Sequence, residues 1–496
     1  MNFNRLLLII ILLILNTVMM NGIQQNLKTN STETVVTEER EIILPSSPRF
    51  SLQSTSVQSA IINITHNNNF TNAGYSFITG NGIESDPYRI KDQTLLCNGK
   101  SGISIENVDI YFEISNYTII GNRTLISVGI QAINVTHAIV QNNNIINFTQ
   151  GFYGESSTNL KIINNSVSCC YINMAISSGT NHSVIHNNQV SHSDYIGINI
   201  INNATSNIVS NNKLSNNDYF SIKVEANKNQ IVNNSLLDEH AGIIVYDSED
   251  CIISNNLLLN NSNNAIQISS ASKNCTVTNN EIRDSKAISI IVSTSNYTII
   301  SKNNVINGYS PLYLEVASCT TIFDNLVEAG IYPGIRIYSA ENTNICRNTI
   351  RNMPGYAIDL QLRANYTFIE YNNIINTTFF ETNSTHQASD MGSNNTFQYN
   401  YWNDWITPDT NQDYIVDISY FINGTSGNHD SFPLTVNVET YLDILKSLPT
   451  TTNGLTLSTD NSSNDTLTTR TTVLTIGIGL YIIVTVPILS LIRKKR

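Results

Sequence analysis

Residues 198–259 read INIINNATSNIVSNNKLSNNDYFSIKVEANKNQIVNNSLLDEHAGIIVYDSEDCIISNNLLL, and this stretch decides the fold. An Asn-Asn doublet, then any residue, then an apolar one, occurs three times in it, ending at Leu214, Leu236 and Leu258. The same signature ends at Ile146, Val167 and Val190 upstream. It ends at Ile282, Ile306, Val327, Ile350 and Ile375 downstream, with Asp324-Asn325 and Arg347-Asn348 in place of the doublet at Val327 and Ile350, and with successive spacings between 21 and 25 residues. A second marker keeps step: an apolar-x-apolar triplet at Ile198-Asn199-Ile200, Ile222-Lys223-Val224 and Ile243-Ile244-Val245. Further copies are Ile266-Gln267-Ile268, Ile288-Ser289-Ile290, Leu312-Tyr313-Leu314, Ile335-Arg336-Ile337 and Ile358-Asp359-Leu360. Alternation with period 2 and β-branched residues on one side is the signature of a half-buried strand. A third apolar pair, such as Ile208-Val209 or Ile252-Ile253, precedes each doublet.

Three short strands and three polar turns per repeat make one rung of a parallel β-helix. A rung cannot bury its own inner face, but stacking the next one about 4.8 Å away pairs the backbone and closes a core. Asn suits the turns because it tolerates the left-handed conformation and its amide can bond to the rungs on either side. A leucine-rich repeat has a similar period, but it needs an LxxLxL pattern that this Ile/Val-alternating chain lacks. The expectation is an all-β, right-handed parallel β-helix of about a dozen rungs of ~22–24 residues, with one C-terminal transmembrane helix.

The ends frame this body. Leu6 to Leu15 is apolar behind Arg5, and small and polar residues follow at Asn21-Gly22; this is the layout of a secretory signal peptide. Val473 to Ile492 is uncharged and is followed by Arg493-Lys494-Lys495-Arg496. That is long enough to cross a bilayer, with the basic tail cytoplasmic. The expected division is a signal peptide at 1–22, a flank at 23–60, the β-helix at 61–400 and a cap with an acidic loop at 401–436. A Thr/Ser/Asn-rich stalk follows at 437–472, then the membrane span at 473–492 and a tail at 493–496. Charged residues are 13% of the chain and the net charge is −12, so no basic footprint for nucleic acid exists. Seven cysteines without a CxxC pair exclude a disulfide scaffold and a zinc ribbon; most are expected in the core. Sequons such as Asn30, Asn116, Asn203, Asn296 and Asn423 suit glycans on a surface protein.

The edges of the repeat resemble a known family. Asn68-Asn69-Phe70 and Gly80-Asn81-Gly82-Ile83-Glu84-Ser85-Asp86-Pro87-Tyr88-Arg89-Ile90 are similar to the start of secreted β-helix proteins common in archaea. So is Gly102-Ile103-Ser104-Ile105-Glu106-Asn107, and the stretch from Asn400 to Trp405 with Asp430 to Leu434 is similar to their end. These are the PbH1-repeat, NosD-like proteins, named for a periplasmic copper-binding accessory. Over residues 61 to 436 the resemblance implies the fold and a cell-surface setting, while the activity stays open because the scaffold hosts many functions. Copper is not expected: His182, His186 and His192 are the nearest grouping of suitable ligands, and they fall at unequal places in the rung.

A β-helix turns spacing into columns. Counting back from the triplets aligns Asp194, Asp218, Glu239 and Asp284, and one place on Tyr195, Tyr219 and His240, then Tyr309 and Tyr332. Carboxylates beside aromatic rings are the chemistry of a sugar site, the acids serving as acid, base or ion ligands; the bland reading is a set of solvated turns that repeat because the rungs do. A calcium loop is the second candidate, with Asp409, Asn411, Asp413, the carbonyl of Ile415 and Asp417 as oxygen ligands. Tyr414 stands where glycine usually makes the sharp turn. The expected function is a membrane-anchored, extracellular module that binds glycans or neighbouring surface proteins without catalysis. The alternatives are a polysaccharide lyase or glycoside hydrolase, or a NosD-like metal-handling accessory.

Overall fold

The computed structural model describes residues 61–71, 75–123, 126–377 and 386–447. The expected signal peptide, N-terminal flank and membrane span lie outside these. Among the described residues no helix is long and apolar enough to cross a membrane.

Every repeat folds as one turn of a parallel solenoid with three strands, and the strands assemble into three sheets of 14, 16 and 14 members. Pairing is parallel from rung to rung throughout the body; an antiparallel pair, Tyr420–Phe421 with His429–Asp430, closes the second sheet. In the first sheet Ile198, Ile222, Ile243, Ile266, Ile290, Leu312, Ile335 and Ile358 stand in one continuous register. All are 0–1% exposed. Their neighbours one residue on, such as Lys223 and Gln267, face out. The period-2 reading of these triplets is the in-out arrangement seen except at Ile288-Ser289-Ile290. There Ser289 is buried and Ile290-Ile291-Val292 stand in register instead, so counting back from Ile288 starts two residues early and misplaces Asp284.

The Asn doublets do two different jobs. In most rungs the first residue takes a left-handed backbone, φ 55 at Asn187, 56 at Asn211 and 58 at Asn233, and turns the chain into the third sheet. The second turns inward and is fully buried. At Asn303-Asn304 and Asn372-Asn373 the preceding Lys302 and Tyr371 take the left-handed turn and the first Asn is the inner one. Asn188 donates from its backbone N–H and its amide to Asn212 Oδ1, both at 2.9 Å, and its amide also reaches the Ile162 carbonyl at 2.9 Å. The pattern repeats from Asn143 to Asn400. It ends on Asp430, whose Oδ2 accepts from the Asn400 N–H, the Asn400 amide and Trp402 Nε1 at 3.0–3.1 Å. Each rung donates and the next accepts. Only a group with nothing to donate can finish the series, and a carboxylate is that group.

Both ends are covered. Phe70, on a 3-10 turn at Asn67–Thr71, stacks on Tyr88 at 4.7 Å over the first rung. Trp402 stacks on Tyr420 at 4.1 Å over the last. The stretch expected to begin a stalk instead opens with an α-helix, Val438–Ser447. Asn437 caps it through the Thr440 N–H at 2.9 Å. Val438 and Tyr441 pack with Leu434 against Tyr371, Tyr399 and Tyr401, so this segment buries an apolar stripe and joins the body.

Cys251 and Cys275 stand on adjacent rungs, as the register Ile252 to Thr276 places them. All seven cysteines are free thiols, five of them buried.

Candidate functional site on the outer face of the first sheet

The turn from the third sheet into the first places Tyr171, Tyr195, Tyr219 and His240 one per rung. Tyr171 and Tyr195 stack at 5.2 Å and 12°, Tyr195 and Tyr219 at 5.2 Å and 16°, and Tyr219 and His240 at 6.2 Å and 17°. Burial raises the Tyr171 and Tyr195 hydroxyl pKa values above the ordinary tyrosine value. The rings cover one another's faces, so the column offers edges and a row of hydroxyls. His240 ends it, Nδ1 facing Ser262 Oγ at 3.2 Å and Nε2 facing Asn263 at 3.4 Å. Tyr309 and Tyr332 form a separate, tilted pair further along at 4.7 Å, both more than 40% exposed. Tyr171 was not reachable by counting from the triplets, because its strand reads Ile172-Asn173-Met174-Ala175-Ile176 and hides the marker.

Beside the column lies an apolar cluster outside the main core: Val128, Tyr153, Ile172, Ala175 and Ile196, with Tyr171, Tyr195 and Phe220 packed on it. Its five members are 0–8% exposed, so the cluster is a small buried support under Tyr171, Tyr195 and Phe220 rather than an open surface.

The acidic residues separate. Asp194 and Asp218 are exposed beside their tyrosines, and Asp194 is held by the Arg123 guanidinium, which reaches across from an earlier turn. Glu239 departs from the expected column. Its turn is shorter, and the carboxyl points inward, 1% exposed, accepting the Asn217 N–H at 2.8 Å and the Asn217 amide at 3.0 Å. Burial pushes its pKa up to about 7. Glu239 thus takes the place of an inner Asn in a second buried series through Ser193, Asn217, Asn261 and Ser285. As a carboxylate it has no hydrogen to pass on, and Asn261 in the next rung, fully buried, has neither amide atom paired. Asp284 belongs to another column again: its φ of 56 marks it as a left-handed turn residue, and it accepts from Asn307 at 3.1 Å.

The central outward column of the first sheet carries residues that offset counting misses. Tyr313, Arg336 and Asp359 occupy consecutive rungs in register. Asp359 is 4% exposed although it faces out, and Gln361 donates to both its oxygens at 2.8 and 2.7 Å. Burial raises its pKa above the usual aspartate value, opposed by Gln361 and Arg336. Arg336 Nε lies 3.5 Å from Asp359 Oδ2, and that nitrogen is buried without a hydrogen bond. The signal was present in the sequence as the middle letters of three successive triplets.

The metal candidates behave differently from their spacing. His182 pairs with Asn181 and His186 with Ser210, in different turns from His192. In the 409–417 loop, Asp409 Oδ2 accepts the Tyr414 N–H, Asn411 Oδ1 the Asp413 N–H and Asp413 Oδ1 the Ile415 N–H, at 2.9–3.1 Å. Asp417 is taken by Thr410, and Tyr414 adopts φ 70. The loop is held by its own backbone. Among the described residues no three His, Cys, Asp or Glu side chains converge to hold an ion, while Asp409 Oδ1 is buried without a hydrogen bond.

Comparison with known sequence families matches residues 101–240 and 222–374 to one described as right handed beta helix region. No curated protein matches the chain by sequence. Among solved structures, the A-module of the mannuronan C-5 epimerase AlgE6 from Azotobacter vinelandii is similar, at 12% identity and TM-score 0.42. It covers 65% of this chain and 89% of that one. The Agl-KA catalytic domain gives 13% identity and TM-score 0.41, covering 66% and 62%. The tailspike gp61 of Pseudomonas phage phi297 gives 12% and 0.36, covering 53% and 48%. At these identities the likeness concerns fold alone.

Proposed function

Because the chain belongs to the right-handed β-helix family, we propose that it binds an extended glycan lengthwise on the outer face of its first sheet, as a non-catalytic module displayed at a cell surface. The observation that carries this reading is the aromatic column Tyr171–Tyr195–Tyr219–His240, supported by a small buried apolar cluster. Its 5.2 Å ring spacing is close to the advance per residue of an extended β-linked sugar chain. A chain laid along the axis therefore meets a ring edge and a hydroxyl at each residue. Tyrosine suits such contact, pairing apolar area with a polar tip. The extracellular display and single membrane anchor rest on the apolar segments at the two ends of the sequence.

The test is binding of immobilised polysaccharides by the purified protein, comparing wild type with the Y195A/Y219A double variant. Binding that falls at least tenfold supports the reading. Wild-type binding unchanged in the double variant refutes it. A second reading, a lyase or hydrolase, is favoured by one observation, the shielded Asp359, its pKa raised by burial, beside Arg336 and Tyr313. It requires product release from a bound polysaccharide, lost by ~10²-fold or more in D359N with binding kept.

A further inference from the structure

Arg336 is held unlike most arginines of the body: among the described residues Arg363, exposed in a turn, is not paired with a carboxylate either, and Arg351 shares a buried, unbonded Nε but has its carboxylate. Arg89, Arg123, Arg283, Arg347 and Arg351 each donate to a carboxylate. Among the described residues Arg336 donates to none: its ion pair with Asp359 is 3.5 Å long, and Nε is buried without an acceptor. A buried donor left unpaired costs about 1–3 kcal/mol unless something else accepts from it. The fold does not supply that acceptor. Asp359 already receives two hydrogen bonds from Gln361. Tyr313, one rung before, is half-buried and makes no hydrogen bond among the described residues, so its hydroxyl is also uncommitted. The other cation of this column, Lys223, is tied to Glu225 at 2.8 Å.

We infer that Tyr313 and Arg336 form a station that reads the carboxylate of an acidic sugar residue in the glycan lying along this face. This rests on the glycan-binding reading above and deepens it to a substrate class. The guanidinium presents parallel N–H donors in a fixed fork that matches a carboxylate, and a sugar hydroxyl fills only one of them. Asp359 sets the opposite limit. Placed under the guanidinium and engaged by Gln361, it holds the arginine against the sheet without consuming its donors.

The experiment measures binding of the full chain to oligogalacturonate and oligomannuronate, each against its carboxyl-reduced, neutral counterpart. The acidic chains are expected to bind at least tenfold tighter than the reduced ones. R336Q should abolish that preference, bringing the acidic chains down to the affinity of the reduced ones, and R336K, which keeps the charge but loses the fork, should restore only part of it. R336K also serves if R336Q does not fold. Equal wild-type affinity for acidic and reduced chains overturns the inference and leaves the glycan reading standing. Binding to neither, nor to any other polysaccharide, overturns both.

Discussion

Replacing Glu239 with Gln should remove a pH dependence of stability that the wild-type chain carries. The carboxyl is 1% exposed, and burial raises its pKa from 4.5 to about 7. Each unit of difference between folded and unfolded states corresponds to about 1.36 kcal/mol, so a gap of roughly 2.5 units is worth about 3 kcal/mol. Between pH 4.5 and 7 the folded chain holds a proton that the unfolded chain has released, so the folded state binds more protons and stability falls as pH rises. The contribution is whole below about pH 4.5 and spent above about pH 7. Gln also gives the series what a carboxylate withholds, since its amide can donate toward the unpaired Asn261 while its oxygen keeps the Asn217 bonds. The assay is the urea midpoint of wild type and E239Q at half-unit steps from pH 4.5 to 8, read as a difference so that other titrating groups cancel. E239Q should gain on wild type by about 3 kcal/mol across that range. A parallel pair of curves would refute the reasoning, because it would mean that Glu239 titrates in the folded chain as it does in the unfolded one.

Asp at Ile266 should destabilise the body by more than about 4 kcal/mol, since it puts an unpaired charge into the inward row; Asp at Gln267 should cost under about 1 kcal/mol, and equal costs in thermal melts would reverse the in-out assignment. Calcium should leave the melting temperature unchanged, because most carboxylate oxygens of the 409–417 loop already accept hydrogen bonds within the loop, with Asp409 Oδ1 buried without one; a rise that D413A abolishes would show that the loop rearranges around the ion. Truncation after Val436 should lower the melting temperature by several degrees, because it uncovers Tyr371, Tyr399 and Tyr401; an unchanged melt would mean the helix at Val438–Ser447 contributes nothing to the last rungs.

Much of this architecture is legible because the solenoid repeats one physical problem. The inward Ile rows, the left-handed first Asn and the bonded second Asn follow from period and turn chemistry, and Tyr195 stacks on Tyr219 because equal offsets in equal rungs must superpose. Legibility fails where a rung is irregular. Glu239 sits in a turn shorter than its neighbours', so the offset that aligns Asp194 with Asp218 carries the next acid through the wall instead of along it. Asp284 shares the acidic letter but occupies the turn position that selects for left-handed backbone, where Asn and Asp are interchangeable. Arg336 and Asp359 stand in plain sight between apolar letters, yet period-2 alternation says only that they face out. Their mutual distance and shielding are tertiary facts. The helix after Asn437 is short, and its capping residue lies in a stretch whose Thr/Ser/Asn content reads as unstructured chain.

The carboxylate at the foot of the Asn series has a consequence for how these molecules behave in a crowd. A stack of parallel strands with an open end is a template, and a second copy presenting its first rung would find backbone groups and an amide row ready to continue the lattice. Asp430 offers that newcomer no hydrogen. Its fully buried oxygens would sit unmatched against any further Asn oxygen, and Trp402, Tyr420 and the docked helix close off the approach. Fibre growth is thus blocked chemically as well as sterically. Asp430→Asn, which restores a donor at that point while keeping the shape, is the single change that brings the chain nearest to polymerising end to end.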